Sequence, residues 1–269
     1  MKNKIYDCVT FFNENFQFEL RFNILFNYVY KFVICESKFD HQGKKKDLNF
    51  NFEKFKKFGD KINYIILDHE FPNTSNPWIT QAYQRDFMLN NIEGVSDDDY
   101  IFFSDPDEIP KPEILENFEL KKKYGIFLQD CFNYKFNLFN PFETPWEGTR
   151  VAKKKNLNSI DFMRQKVKVK NLEYGFYRID KEKSIEIFNK AGWHFNNIMS
   201  PEQISKKLRT FAHTEFSKDE FSAVEVIKEK IDKRIDLFNR GHQYKIVNFD
   251  DTYPKFLTNN YKIYKDFIL

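Results

Sequence analysis

Long hydrophobic runs are missing from this 269-residue chain, which holds no apolar stretch near the ~18–20 residues that cross a bilayer. The opening MKNKIYDC passes straight into a strand-like run without a signal-peptide core, so a cytoplasmic protein with no transmembrane segment is expected. Cysteine is scarce and odd in number. Cys8, Cys35 and Cys131 each stand inside a strand-like run, which gives no support to a disulfide framework or a CxxC metal site and fits buried thiols in a reducing compartment. Charge of one sign is lacking as well. The 43 basic and 40 acidic residues leave a formal +3, too balanced for the footprint of a nucleic-acid binder, and no nucleic-acid partner is expected. The runs Lys44-Lys45-Lys46, Lys121-Lys122-Lys123 and Lys153-Lys154-Lys155 serve equally well as solvated loop or helix-end charge. No internal repeat or low-complexity linker divides the chain.

Core material is plentiful, with 41% hydrophobic residues and 19% aromatics, mostly 33 Phe and 14 Tyr. A single core grows to roughly 250–300 residues before chains tend to split, so one domain is expected. YDCVTFF (Tyr6–Phe12), KFVICES (Lys31–Ser37), INYIILD (Ile62–Asp68) and YIFFSD (Tyr100–Asp105) are short apolar strands. Between them Phe16–Val29, the segment with Phe52, Phe55 and Phe58, and Ile79–Ile92 carry helical spacing. That alternation predicts an α/β fold: a Rossmann-like mixed sheet, largely parallel, with helices on both faces. Further along, helices are expected over Glu113–Lys122 and Glu220–Arg240, a strand-rich stretch from Tyr124, a strand pair in SIEIFNKAGWHF, and a loop carrying Trp146. The expected division is a nucleotide-type half over about residues 1–125 and a second half over about 126–269 that ends in helices.

DDDYIFFSDPDEIP (Asp97–Pro110) crowds carboxylates at both ends of one strand. In a parallel α/β sheet ligands bind outside the carboxyl ends of the strands, where Asp105 and Asp107 stand. Two carboxylates one residue apart at a strand end suit a hard divalent cation, Mn²⁺ or Mg²⁺, which would bridge a substrate's phosphates. Without a compensating cation or donor such a pair repels, which makes a purely structural cluster costly. The same residues also suit a capped turn. Asp97-Asp98-Asp99, at the opposite edge, reads as a solvated turn.

YDCVTFFNE, FELRFN, KFVICES, the QRD of the third helix, SDPDEIP, AGWHF followed by SPEQISKKL, FAHTEF and YPKFLTNNYKIYKDFIL resemble, in that order, the blocks of glycosyltransferase family 17, over almost the whole chain. The resemblance implies a GT-A fold, with an inverting transfer from a UDP-sugar, N-acetylglucosamine being the expected sugar, to a glycan acceptor. It implies dependence on Mn²⁺ or a similar ion, with Asp107 on the metal, Asp105 on the ribose or metal, and His194, or else His213, completing the coordination. Thr10, Asn13, Glu14 and Glu36 would face the uridine; Glu14 serves equally as a helix cap. Arg85 would reach the diphosphate, the alternative being an ordinary surface ion pair with Asp86 or a neighbour. Glu202 or Glu215 would act as general base, although Ser200-Pro201-Glu202-Gln203 also forms a capping box. Trp146 and Trp193 would stack on acceptor sugars or else belong to the core. A membrane anchor is not seen, so the secretory-pathway acceptor is not carried over. Two other readings stay open: a non-catalytic carbohydrate- or nucleotide-sugar-binding domain, and a DxD phosphohydrolase, whose motif would instead follow the first strand.

Overall fold

Four apolar strands build the first sheet: β1 (Ile5–Phe11), β2 (Lys31–Ser37), β3 (Ile62–Leu67) and β4 (Tyr100–Ser104). They lie parallel in the order β3-β2-β1-β4, and β8 (Trp146–Lys153) closes onto β4 antiparallel. Alternation of side chains explains why helices cover both faces. On one face Cys8, Val33 and Cys35 join Met88 and Leu89 of α3 (Pro77–Asn90) in a single cluster. On the other, Phe32 meets Phe22 of α1 (Asn15–Leu25) at 4.6 Å between ring centroids, and Phe50, Phe55 and Phe58 gather round Phe22. Phe55 closes the single turn α2 (Phe52–Phe55). Helix α3 starts on an Asn76 cap that accepts from the Trp78 N–H, with Pro77 at the first helical position. The mixed α/β sheet expected from the sequence is therefore present. The three thiols are free and buried, and burial pushes Cys35 up to about 12.

This computed structural model describes residues 3–210 and 218–269. Two compact units divide the chain: Met1–Gln129 with Glu147–Gly192, and Asp130–Trp146 with Trp193–Leu269. The sequence suggested one passage near residue 125, but the chain returns to the first unit. Pairing explains it, because β8 completes the β4 edge and α5 (Ile160–Lys166) then packs with α3. Strand β6 (Tyr124–Asn133) carries the chain from one unit to the other. The SIEIFNKAGWHF strands, β9 (Ile185–Phe188) and β10 (Gly192–Asn196), do not pair with each other as expected; both lie parallel to β6, at Tyr124–Phe127 and Asp130–Asn133 respectively.

Two expected helices are shorter. After β5 (Glu108–Pro110), α4 (Pro112–Leu115) stops early. The Leu120 and Lys121 N–H groups turn to the Tyr100 hydroxyl and the Glu186 carboxylate, while Phe118 packs edge-on against Tyr100 and Phe102. In the second unit, the Glu220–Arg240 helix resolves into α7 (Asp219–Ser222) and α8 (Val224–Lys233), broken at extended Ala223 and ended by left-handed Arg234. Together with α6 (Pro201–Thr210) they enclose Ile204, Leu208, Ile227, Leu237 and Tyr244, alongside Leu138 of β7 (Leu138–Phe139), the strand that pairs with β11 (Lys245–Ile246). A last helix, α9 (Lys255–Asn259), buries Leu257.

Asp236 replaces the missing helical turns as the local organiser. Its carboxylate accepts from the Phe238 and Arg240 N–H groups, the Arg240 guanidinium and the Tyr244 hydroxyl. Burial alone would raise its pKa, but Arg240 and these donors outweigh it and lower the pKa below the ordinary carboxylate value. Its stabilisation is therefore present above the unfolded pKa and lost as pH falls through the depressed folded value. Asp236→Asn should cost about 1–3 kcal/mol at neutral pH, and urea melts should show the gap to wild type closing below about pH 4. A gap unchanged at acid pH would contradict this role.

Candidate active site

The parallel register aligns the ends of β1, β2 and β4. Val9 pairs with Ser104 and Phe11 with Glu36, so Thr10, Asn13, Glu14, Glu36 and Asp105 all belong to one carboxyl edge of the sheet. A hydrogen bond of 2.8 Å between the Ser104 and Thr149 hydroxyls ties the last residue of β4 to β8. Asp105-Pro106-Asp107 then turns, all three half-buried, and Glu108 re-enters the interior as β5 begins.

Arginines hold that turn. Arg164 of α5 reaches Asp105 at 2.6 Å and Glu108 at 2.6 Å, and it also donates to the Gly148 carbonyl at 2.8 Å. Glu108, with no exposed surface, accepts in turn from the Asp105 N–H. Arg21, also without exposure, forks onto Asp7 and donates to the Glu108 carbonyl at 2.6 Å. Arg150 lies fully buried beside them, bonded to the Glu147 carboxylate and the Gly148 carbonyl. Burial would lower the Arg164 pKa, but Asp105 and Glu108 overcome that and raise it. Arg150 goes the other way, down to about 10, through burial and the neighbouring Arg164 charge.

Arg85, one of the expected donor-side residues, lies in the interior among carboxylates. It is 3% exposed, pairs with Asp161 at 2.9 Å and with Asp105 at 3.5 Å, and lies over the Phe103 ring. Its buried Nε has no hydrogen-bond partner. The alternative of an ion pair is met by a neighbour, Asp161, rather than by Asp86, which accepts from the Ser159 hydroxyl and the Asp161 N–H at the start of α5. Glu36 is a correction: it is fully buried, and its oxygens accept from Lys46, the Asn49 and Phe50 N–H groups and the Tyr64 hydroxyl. It anchors the loop after β2 instead of facing a ligand. Glu14 folds back onto the Phe12 and Asn13 N–H groups and makes no side-chain cap. Thr10 is half-buried and Asn13 exposed at the same edge. In the other acidic cluster Asp98 pairs with Lys153 and Lys155, whereas Asp99 is buried, accepting from the Lys4 and Ser96 N–H groups, so that turn is not wholly solvated.

In the second unit, the register of β10 on β6 sets His194 beside Cys131, with Nδ1 3.5 Å from Sγ, and the Trp146 ring lies tilted against His194 at 4.6 Å between centroids. Trp193 is 4% exposed and parallel to the Phe195 ring, which makes it core rather than an acceptor platform. Glu202 is also a correction. Ser200 and Gln203 make the reciprocal capping-box bonds, and Glu202 points to Lys228 at 3.3 Å. Hydrogen bonds at the helix start, from its own N–H and Ser200, and the Lys228 pairing lower its pKa, which weakens it as a base. His213 and Glu215 lie outside the described residues. A cavity of about 530 Å³ in this unit is lined by Asp130, Phe132, Phe139, Asn248, Thr252 and Tyr253 among others.

The two most distinctive sequence blocks meet in space. The Lys111 N–H donates to the Ala191 carbonyl, and a Cβ on Gly192 would stand 2.2 Å from the Ile109 carbonyl oxygen, so only glycine lets AGW pass the end of SDPDEIP. The model of glycosyltransferase family 17 matches residues 1–244. The chain belongs to glycosyltransferase family 17. It is 33% identical over 110 residues to the human β-1,4-mannosyl-glycoprotein 4-β-N-acetylglucosaminyltransferase, and likewise to the rat protein. Those matches cover 36% of this chain and about a fifth of each relative. Among solved structures, Mycobacterium tuberculosis glucosyl-3-phosphoglycerate synthase is similar at 12% identity and a TM-score of 0.39, over 95% of this chain and 91% of that one. S. aureus TarS is similar at 15% and 0.36, over 77% and 63%. Likeness this loose bears on neither donor nor metal.

For a family 17 chain, the donor chemistry at Asp105 and Asp107 fits a hard cation, but the described residues offer no cage. No group of three or more His, Cys, Asp or Glu among them could hold a metal ion. Two carboxylates at a sheet edge suit a cation that takes its other oxygens from a nucleotide's phosphates. Sequence reasoning missed Arg164, Arg150, Arg21 and Glu108, because a buried arginine carries no local signal; only the position of Arg21 inside FELRFN hinted at it. Arg164→Met should cost about 3–5 kcal/mol by leaving Glu108 buried and uncompensated, and adding Glu108→Gln should restore part of that loss. Denaturant titration of both variants tests this, and a single-variant cost under about 1 kcal/mol would remove Arg164 from its central place.

Proposed function

We propose that this chain transfers a sugar, N-acetylglucosamine first among candidates, from a UDP-sugar to a glycan hydroxyl, with metal dependence and inversion at the anomeric carbon. The carrying observation is the Asp105-Pro106-Asp107 turn at the carboxyl edge of β4, locked by Arg164, in a family 17 chain. The N-acetylglucosaminyltransferase relatives support the choice of sugar.

In this reading the acceptor oxygen attacks the anomeric carbon as the bond to the β-phosphate oxygen breaks, and the electron pair leaves with UDP. A divalent cation held by Asp107, with Asp105 beside it, would stabilise the charge that develops on the diphosphate. Arg164 fixes the Asp105 carboxylate, so the turn need not reorganise when the donor arrives. Arg85, 3.5 Å from Asp105, adds a guanidinium suited to phosphate oxygens. Thr10 and Asn13 share that edge and would meet the nucleoside. The cavity of the second unit sets the rings of Phe132, Phe139 and Tyr253 beside Asp130 and Asn248, a lining suited to the apolar faces and hydroxyls of a sugar. Trp146, half-buried, remains a stacking surface, and Glu215 takes the proton from the acceptor hydroxyl.

Incubation with a panel of UDP- and GDP-sugars should give slow, metal-dependent nucleotide release without acceptor, best with UDP-N-acetylglucosamine and abolished by EDTA. Asp107→Ala should lower release by about 100-fold or more while melting is unchanged. Release from Asp107→Ala near the wild-type rate would misplace the site. Saturable UDP-sugar binding with no release under any condition would instead make the chain a binding domain.

A further inference from the structure

The loop before β9 takes no part in the site, yet it carries the two most exposed large apolar side chains among the described residues, Ile179 at 95% and Phe176 at 93%, with Tyr177 at 72% between them. The Phe176 and Tyr177 rings lie edge to face at 6.0 Å between centroids, and all three side chains stay largely exposed. The turn that presents them is nevertheless built. The Arg178 N–H donates to the Gly175 carbonyl at 3.0 Å and the Ile179 N–H to the Tyr177 carbonyl at 3.0 Å, while Lys183 Nζ also donates to the Gly175 carbonyl. Arg178 forks onto Asp180 with two bonds of 2.7 Å and lies 5.0 Å from the Tyr174 ring centre. Polar groups thus fasten the loop from within and leave the apolar ones outside.

The charge around this turn is one-sided. Residues 166–183 hold six basic side chains, Lys166, Lys168, Lys170, Arg178, Lys181 and Lys183, against Glu173, Asp180 and Glu182. Asp180 is already paired with Arg178, and Glu182 with Lys123 at 3.5 Å. We propose that the loop is a membrane-surface anchor, in which Phe176, Tyr177 and Ile179 enter the headgroup region of an anionic bilayer while neighbouring lysines meet its phosphates. Aromatic and aliphatic tips carried by a segment rich in Lys and Arg suit that interface. A protein partner fits less well, because three side chains offer roughly 500 Å² where a stable interface needs about 800 Å² per partner. The contact would be peripheral, as no described helix is long and apolar enough to cross a membrane. Such an anchor would hold the enzyme near acceptors displayed at a lipid surface.

Co-sedimentation with phosphatidylcholine vesicles containing phosphatidylglycerol tests the proposal. Wild type should bind these at low salt, and bind phosphatidylcholine vesicles alone far more weakly. The double variant Phe176→Ser/Ile179→Ser should lose at least about tenfold in partition, and Lys166→Gln/Lys170→Gln roughly fivefold per lysine with a flatter salt dependence. Melting temperatures and UDP-sugar hydrolysis equal to wild type would show that the variants are folded, since these side chains lie outside the site. Failure of wild type to bind the anionic vesicles, or undiminished binding by the double variant, overturns the anchor. So does a wild-type dimer in light scattering that ignores vesicles and becomes a monomer in the double variant, which would assign the loop to a second copy of the chain.

Discussion

Arg164 bridging Asp105 and Glu108 is the contact on which the site depends. A carboxylate cannot enter an apolar interior unpaired, and Glu108 enters with no exposed surface at all. The guanidinium that admits it also fixes Asp105, so a single side chain of α5 decides how the DxD turn leaves β4. Because α5 begins at Asp86 of α3 through Ser159 and the Asp161 N–H, the QRD of the third helix, far away in sequence, supports the same turn.

Around this contact the first unit carries an ionic layer, with Asp7, Arg21, Arg85, Glu147, Arg150 and Asp161 interlocked near the carboxyl edge of its sheet. Apolar residues of similar volume would often be as stable or more so. What the ionic layer supplies instead is placement, since bidentate guanidinium bonds fix direction as well as distance. The second unit is organised differently, around Asp236 and a cavity edged with aromatic rings. The exposed loop at Phe176–Ile179 departs from both, because its apolar side chains stand largely in solvent.

Much of the first unit is written in local pattern. Buried parallel strands need unbroken apolar runs, and YDCVTF, KFVICES and INYIIL show them; amphipathic helices need spacing of three and four, and Phe18, Phe22 and Leu25 keep it. The position of Asp105 and Asp107 at a carboxyl edge follows from that order of elements, as does the need for compensating charge. The roles of Glu36 and Trp193 do not follow. A glutamate at a strand end looks the same whether it meets a ligand or four donors of a neighbouring loop, and a tryptophan beside a histidine looks the same on a surface or in a core.

The sequence by itself determined the alternation of strands and helices, the edge at which the carboxylates stand and the family, because each rests on short-range period or on contiguous residues. Tertiary structure alone decided which charges compensate Asp105 and Glu108. Arg164 of α5 reaches both carboxylates at 2.6 Å, Arg85 of α3 stands 3.5 Å from Asp105, and Arg21 of α1 donates to the Glu108 backbone carbonyl, three helices that meet only in the folded chain.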